Sequence, residues 1–150
     1  MNMLYKAVSV TTLALLMTGC ASGPKHAEVK SSIPEIAADK GRIYFYRSSS
    51  MVGAAIQPDI KLNGEVVGTS VPGGFFFVDR TPGNYEVLTS TEVDKKLTFT
   101  LNAREQKCVQ TSIGFGVVAG RVYPELVDNA KCEKELPDTS YTGVPLTSKK

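Results

Sequence analysis

Apolar and polar residues alternate in short runs from about position 41 onward, and this pattern predicts β-strands. In residues 42–47, two apolar side chains alternate with Tyr44 and Tyr46, which is the two-residue period of a strand. The two tyrosines therefore share one face of the strand. Either other parts of the chain cover that face, or the rings keep their hydroxyls in water.

The same kind of pattern predicts further strands along the chain. They lie at residues 59–62, 65–67, 74–79, 84–90, 97–101, 108–117 and 121–127. Asn63-Gly64 predicts a tight hairpin between the first two, because both residues tolerate a positive φ. Pro124 makes the last run an edge strand or splits it. About seven strands without long helical patterns predict an all-β fold, an antiparallel β-sandwich of immunoglobulin or transthyretin type over residues 41–136, with a small β-barrel as the alternative.

Two features of these strands are candidates for a partner surface. In residues 108–117, the odd positions from Val109 to Val117 share one face, while Gly114 and Gly116 leave the other face bare. That strip is a docking surface, is covered by a loop, or marks a bulge. Phe76 points away from its two Phe neighbours, so it is buried by a crossing segment or exposed to a partner.

The segments on either side of the strands have the composition of unpacked chain. Residues 20–40 are rich in small, charged and proline residues, which predicts a flexible tether. His26, the only histidine, lies in this segment and is interpreted as a solvated linker residue rather than a base or a ligand. Residues 137–150 are predicted to be an unpacked tail.

The first twenty residues have the features of an export signal. One positive charge precedes an apolar run at residues 7–17, which is too short to cross a bilayer as a permanent helix. Residues 16–20, Leu-Met-Thr-Gly-Cys, resemble the bacterial lipobox, although Met17 stands where Leu is usual. The resemblance implies cleavage after residue 19 and lipidation of Cys20. An ordinary secreted protein, cut at a nearby small residue, is the alternative.

The lipobox resemblance also implies a location. Two or three acyl chains hold a protein firmly to a bilayer. Ser22 stands where Asp would favour the inner membrane, so we expect the outer membrane of a Gram-negative bacterium, with the domain facing the periplasm. If Cys20 carries lipid, Cys108 and Cys132 remain in an oxidising compartment, and a disulfide between them is predicted. A redox or metal role is weaker because the two lack Cys-x-x-Cys spacing.

Composition narrows the classes of function. A chain that is 42% hydrophobic and 21% charged is able to form a core. The net charge of +2 gives no field that would gather nucleic acid, so no nucleic-acid partner is expected. No histidine lies in the strand region, which argues against a Ser-His-Asp site. We expect no enzyme activity, no metal and no cofactor.

The runs RIYFYR, SSSMVGAAIQPDIKLNGEVVG and FFFVDRTPGNYEV resemble the lipoproteins grouped as domain of unknown function 2846. The resemblance covers residues 41–101 well and 108–127 more loosely. It implies an envelope location and a β-sandwich, and it supplies no catalytic residues. We therefore expect a lipid-anchored, non-catalytic interaction or scaffolding module with an envelope protein partner. The alternative is a glycan- or peptidoglycan-binding module that uses Tyr44, Tyr46 and the Gly114 face.

Overall fold

The computed structural model describes residues 21–117 and 120–146, so the predicted signal peptide and Cys20 lie outside the described residues. The strands are β1 Gly41–Tyr46, β2 Asp59–Leu62, β3 Glu65–Thr69, β4 Gly74–Arg80, β5 Gly83–Ser90, β6 Asp94–Leu101, β7 Gln106–Gly114, β8 Arg121–Val127 and β9 Ser140–Tyr141. Two short helices, α1 His26–Val29 and α2 Asn129–Glu135, are each followed by a 3₁₀ turn, at Lys30–Ser32 and Leu136–Asp138.

The strands form two sheets that do not close into a barrel, which confirms the predicted β-sandwich. In the described part of the chain, one sheet has the order β8-β7-β1-β4-β9 and the other the order β3-β2-β5-β6. Most pairs are antiparallel, but β1 pairs with β7 and β4 pairs with β9 in parallel. The prediction of a purely antiparallel fold is corrected in this respect. A central strand with a parallel neighbour is normally buried on both faces, as β1 is.

One face of β1 packs toward the four-stranded sheet. Phe45 lies directly opposite Phe76 of β4, and the two rings stack with centroids 5.0 Å apart. Gly68 in β3 leaves room for the Phe76 ring, since a side chain there would collide with it. The remaining core side chains of the second sheet include Ile60, Leu62, Val87 and Leu101.

The other face of β1, with Tyr44 and Tyr46, is covered by the segments that precede β1 and follow β8. The His26 and Tyr141 rings lie 5.2 and 5.3 Å from the Phe75 ring. Backbone hydrogen bonds join the two segments; one runs from the His26 N–H to the Thr139 carbonyl at 3.0 Å. We call residues 21–33 and 129–142 the helical cover.

The helical cover corrects two predictions. Residues 21–33 are not a free tether, and residues 137–142 are not an unpacked tail, because both contact the five-stranded sheet. His26 is likewise not a solvated linker residue. The composition of these segments is misleading because only a few side chains, among them Val29 and Leu136, supply the apolar contacts.

The predicted disulfide joins Cys108 in β7 to Cys132 in α2, with Cα atoms 6.2 Å apart. It fixes α2 to the tyrosine face of the sheet. Closing a loop of this length stabilises a fold by about 3 kcal/mol in the chain-entropy model. The helical cover is thus attached covalently as well as by packing.

Local details also follow the sequence, with one exception. Asn63 and Gly64 have φ of 49° and 85°, as the predicted hairpin requires. Pro124 lies in β8, an edge strand as predicted. However, β7 ends at Gly114 instead of continuing to residue 117, so Phe115 and Val117 do not continue the face of Val109 and are exposed.

Candidate functional site

The strand register brings several loops together at one end of the sandwich. Tyr46, the last residue of β1, pairs with Phe75 near the start of β4 and with Gln110 in β7. The segments that follow β1, precede β4 and follow β7 therefore emerge at the same end of the five-stranded sheet. We call this end the loop end, and it comprises residues 48–56, 70–74 and 114–117.

A buried arginine organises the loop end. The Arg47 guanidinium donates hydrogen bonds to the backbone carbonyls of Ile56 at 2.7 Å, Gly53 at 2.8 Å and Ser70 at 3.2 Å. Burial lowers the pKa of Arg47, but a guanidinium remains charged in proteins. One side chain thereby fixes the loop after β1 and the segment before β4 to each other.

The loop after β1 also rests on β7. Gly53 has a φ of 68°, and a side chain there would come within 2.9 Å of Ile113. The Ser70 and Thr111 hydroxyls are hydrogen-bonded at 2.8 Å in a buried position. These contacts hold the loop end in one arrangement.

Apolar side chains project into solvent from this fixed arrangement. Phe115 is 100% exposed. The others that are largely exposed are Met51, Val52 and Val117. Behind them, Ile56 and Ile113 line a shallow groove. Single exposed apolar residues are ordinary, whereas several at one end of a domain indicate a contact surface.

Two residues of the predicted partner surface, Gly114 and Gly116, lie along this groove. The bare side of Gly114 is filled by the Tyr123 ring, which would collide with a Cβ there. The ring that Gly114 allows to approach closely therefore belongs to this chain and not to a partner. The exposed Phe115 between the two glycines is the more prominent feature.

The other three residues of the predicted partner surface are buried, which corrects that prediction. Tyr44, Tyr46 and Phe76 are only 6%, 2% and 4% exposed. The Tyr46 hydroxyl donates to Glu135 Oε2 at 2.8 Å, and Phe76 lies between the sheets. Tyr44 and Tyr46 therefore offer no exposed rings on which a sugar could stack.

Two arginines of the strands are paired with carboxylates. Asp79 accepts two hydrogen bonds from Arg42, at 2.7 and 2.8 Å. Burial alone lowers the pKa of Arg42, but the hydrogen bonds and charge of Asp79 raise it overall. Glu92 accepts from Arg121 Nε at 2.8 Å. These carboxylates serve as structural partners of the arginines.

His26 is partly buried, with its ring beside that of Phe75. Burial, together with the nearby charge of Lys30, lowers the pKa of His26. Within residues 21–117 and 120–146, no three His, Cys, Asp or Glu side chains are grouped to hold a metal ion. In the same residues, no helix is long and apolar enough to span a membrane.

Sequence reasoning missed Arg47 and the exposed Phe115. Arg47 did carry a signal, since it is a lone cation between an apolar strand and a segment without charges, residues 48–58. Phe115 carried none, because alternation continues past the point where β7 ends. Only the course of the backbone after Gly114 shows that Phe115 leaves the core.

Comparison with known proteins gives a family and one distant relative. The family profile described as "Protein of unknown function (DUF2846)" matches residues 37–125, which include β1 to β7 and most of β8. The chain is also similar to a protein of Haemophilus influenzae named "Uncharacterized protein", with 25% identity over 138 residues, or 89% of this chain and 82% of that protein. No solved structure matches.

Replacing Arg47 by Met is predicted to loosen the loop end. Three backbone carbonyls would lose their donor, so the free energy of unfolding should fall by about 3 kcal/mol. Urea denaturation measures this loss, and subtilisin should cleave near Met51 faster than in the wild type. The matched control is Arg80→Met, which breaks a surface contact to Glu65 of 3.7 Å and should change stability by less than about 0.5 kcal/mol. Equal losses in the two variants would contradict the assigned role of Arg47.

Tyr46 is predicted to make the fold sensitive to alkali. Burial, followed by the hydrogen bond to Glu135, raises the pKa of Tyr46 above its ordinary value. Above about pH 10 the unfolded chain therefore binds fewer protons than the folded one, and the free energy of unfolding falls as pH rises.

The variant Tyr46→Phe tests this effect. It should be less stable than the wild type at neutral pH by about 1 kcal/mol, because the hydrogen bond is lost. Between about pH 9 and pH 11, however, its stability should fall less than that of the wild type. Some fall will remain, since burial also raises the pKa of Tyr141. Parallel stability curves for the two proteins would show that Tyr46 is not the responsible group.

Proposed function

We propose that this chain, which belongs to the DUF2846 family of proteins of unknown function, is a lipid-anchored protein of the outer membrane, facing the periplasm. It works by binding, as an interaction or scaffolding module of the cell envelope, and not by catalysis. Its partners are the membrane, through the anchor, and an envelope protein.

The observation that carries the proposal is the position of Ala21. Its N–H donates to the Pro72 carbonyl at 3.0 Å, at the loop end. Ala21 directly follows Cys20, the residue that the lipobox resemblance marks for lipidation. Lipid on Cys20 would therefore leave the domain at a defined point of its surface and not at the end of a long spacer.

The disulfide supports export. A disulfide between Cys108 and Cys132 persists in an oxidising compartment such as the periplasm, and is rare in the bacterial cytosol. It closes the helical cover over the core, so its formation accompanies folding after export. The apolar run that precedes Cys20 supplies the signal for that export.

The side chains of the domain are suited to binding rather than to acid–base catalysis, because three of its carboxylates are already held by other side chains. Asp79, Glu92 and Glu135 are each engaged with an arginine, a tyrosine or a glutamine. The outer face of β6 is open and polar, with Thr98 and Thr100 exposed. An envelope protein would meet such a face, held in a fixed orientation by the disulfide, Arg47 and the anchor.

The variant Cys20→Ala tests the anchor. It should move from the outer-membrane fraction to the soluble periplasmic fraction, because no thiol remains to receive the lipid. The matched control is the double variant Cys108→Ala/Cys132→Ala, which removes the other two cysteines and should remain in the membrane fraction. Membrane retention of Cys20→Ala, or a bare thiol at the mature N-terminus by mass spectrometry, would contradict the proposal.

A further inference from the structure

We propose that the loop end inserts its exposed apolar side chains into the surface of the membrane that holds the anchor. This inference rests on the proposed lipid anchor at Cys20. The inserting side chains are Met51, Val52, Phe115 and Val117. The domain would then lie against the membrane in one orientation, with its opposite end directed into the periplasm.

The anchor point lies beside the loop end, because Ala21 directly follows Cys20 in the sequence. Ala21 is bonded to Pro72, and a side chain on Gly74 would lie 3.3 Å from Ala21 Cβ. The preceding glycine, Gly73, lies beside Ser49, since a Cβ on Gly73 would be 3.4 Å from the Ser49 side chain. The anchor point and the loop that carries Met51 are therefore neighbours.

The distance between lipid and domain is short. Cys20 and Ala21 are joined by one peptide bond, and consecutive Cα atoms are about 3.8 Å apart in any chain. If acyl chains on Cys20 enter the bilayer, Pro72 and the surrounding loop end must lie close to the headgroups. A folded protein partner would not fit between this end and the membrane, which is why we choose lipid as the occupant.

The distribution of charge supports the same conclusion. The segments that meet at this end carry no charged side chain in residues 21–24, 48–56, 70–74 and 114–117. The turn between β5 and β6 also reaches it, since Glu92 accepts from the Val117 N–H at 2.9 Å, but Glu92 is paired with Arg121. Removing such a surface from water leaves no unpaired charge of these segments to be desolvated.

The opposite end of the sandwich has the reverse character. β4 ends there in Asp79 and Arg80, and the turn before β7 contains Arg104 and Glu105. Charged residues at this end suit water or a protein partner. The end beside the anchor is apolar across the five-stranded sheet, with Asp59 and Asp94 at the same end of the four-stranded sheet, and the other end is charged. An apolar surface beside the anchor and charges away from it are what an interfacial protein requires.

The backbone beside these apolar side chains is held in place. Arg47 fixes residues 53–56, and Gly53 packs against Ile113 in β7. Phe115 and Val117 follow directly from the end of β7. A backbone that is already positioned loses little freedom when its side chains enter the interface, where insertion reaches about 5–10 Å into the boundary of headgroups and acyl chains.

A single tryptophan tests the inference, because the natural sequence has none. The full-length lipidated variant Phe115→Trp is purified from membranes and reconstituted into vesicles of phosphatidylethanolamine and phosphatidylglycerol. A second vesicle preparation contains brominated acyl chains, which quench tryptophan fluorescence on contact. The substitution is at a fully exposed side chain, so folding should be unaffected, and non-reducing electrophoresis checks the disulfide.

The matched control is Ala103→Trp, an exposed position in the turn between β6 and β7 at the opposite end. We expect the tryptophan at position 115 to emit at shorter wavelength and to lose most of its emission in brominated vesicles. The tryptophan at position 103 should show neither effect and should be quenched by iodide in the water.

The outcomes separate this inference from the proposed function. If the protein does not float with the vesicles, the lipid anchor itself is absent and the proposed function fails. If it floats but position 115 is quenched by iodide as strongly as position 103, the anchor stands and the inference is overturned. If the tryptophan at position 115 is shielded from iodide in the cell membranes but not in the vesicles, a protein partner covers the loop end. That outcome also overturns the inference.

Discussion

The central strand β1 has no face toward water, and most of the architecture follows from that constraint. Its five side chains after Gly41 are all buried, so both faces of the sheet around it must be covered. The four-stranded sheet covers the face with Ile43 and Phe45. The helical cover, residues 21–33 and 129–142, encloses the face with the tyrosines. A sandwich of two sheets alone would leave that second face exposed.

The same constraint explains the links between distant parts of the chain. The disulfide attaches α2 to β7 beside the tyrosine face, and Tyr46 donates to Glu135 in the same helix. Arg47, which ends the buried run, turns its guanidinium to the carbonyls of the following loops. The arrangement of the loop end therefore depends on β1, the strand whose two faces must both be covered. A fixed loop end in turn gives the anchored domain a defined contact surface.

Much of this fold was predictable from the residues, and the parts that were not have physical reasons. Alternation located the strands, and Asn63-Gly64 located the hairpin, because both depend on neighbours in sequence. The helical cover was missed because its packing depends on a few side chains, such as His26 and Tyr141, meeting a face that forms from distant strands. For the candidate site, Gly114 and Gly116 marked the correct region, but the strand was predicted to continue to residue 117, which placed Phe115 on the same face as Val109. Where a strand ends depends on tertiary contacts, which the alternation of residues does not report.

The burial of β1 by both flanking segments is tested most directly by amide hydrogen exchange in the full-length protein. The structure bonds the His26 N–H to Thr139 and the Tyr141 N–H to Pro24, at 3.0 and 2.8 Å. These two amides should be protected by many orders of magnitude over the unfolded chain and should exchange together with those of the adjoining strands. Exchange of both amides at the rate of unfolded chain would show instead that residues 21–33 and 137–142 are a free tether and tail and that they do not bury β1.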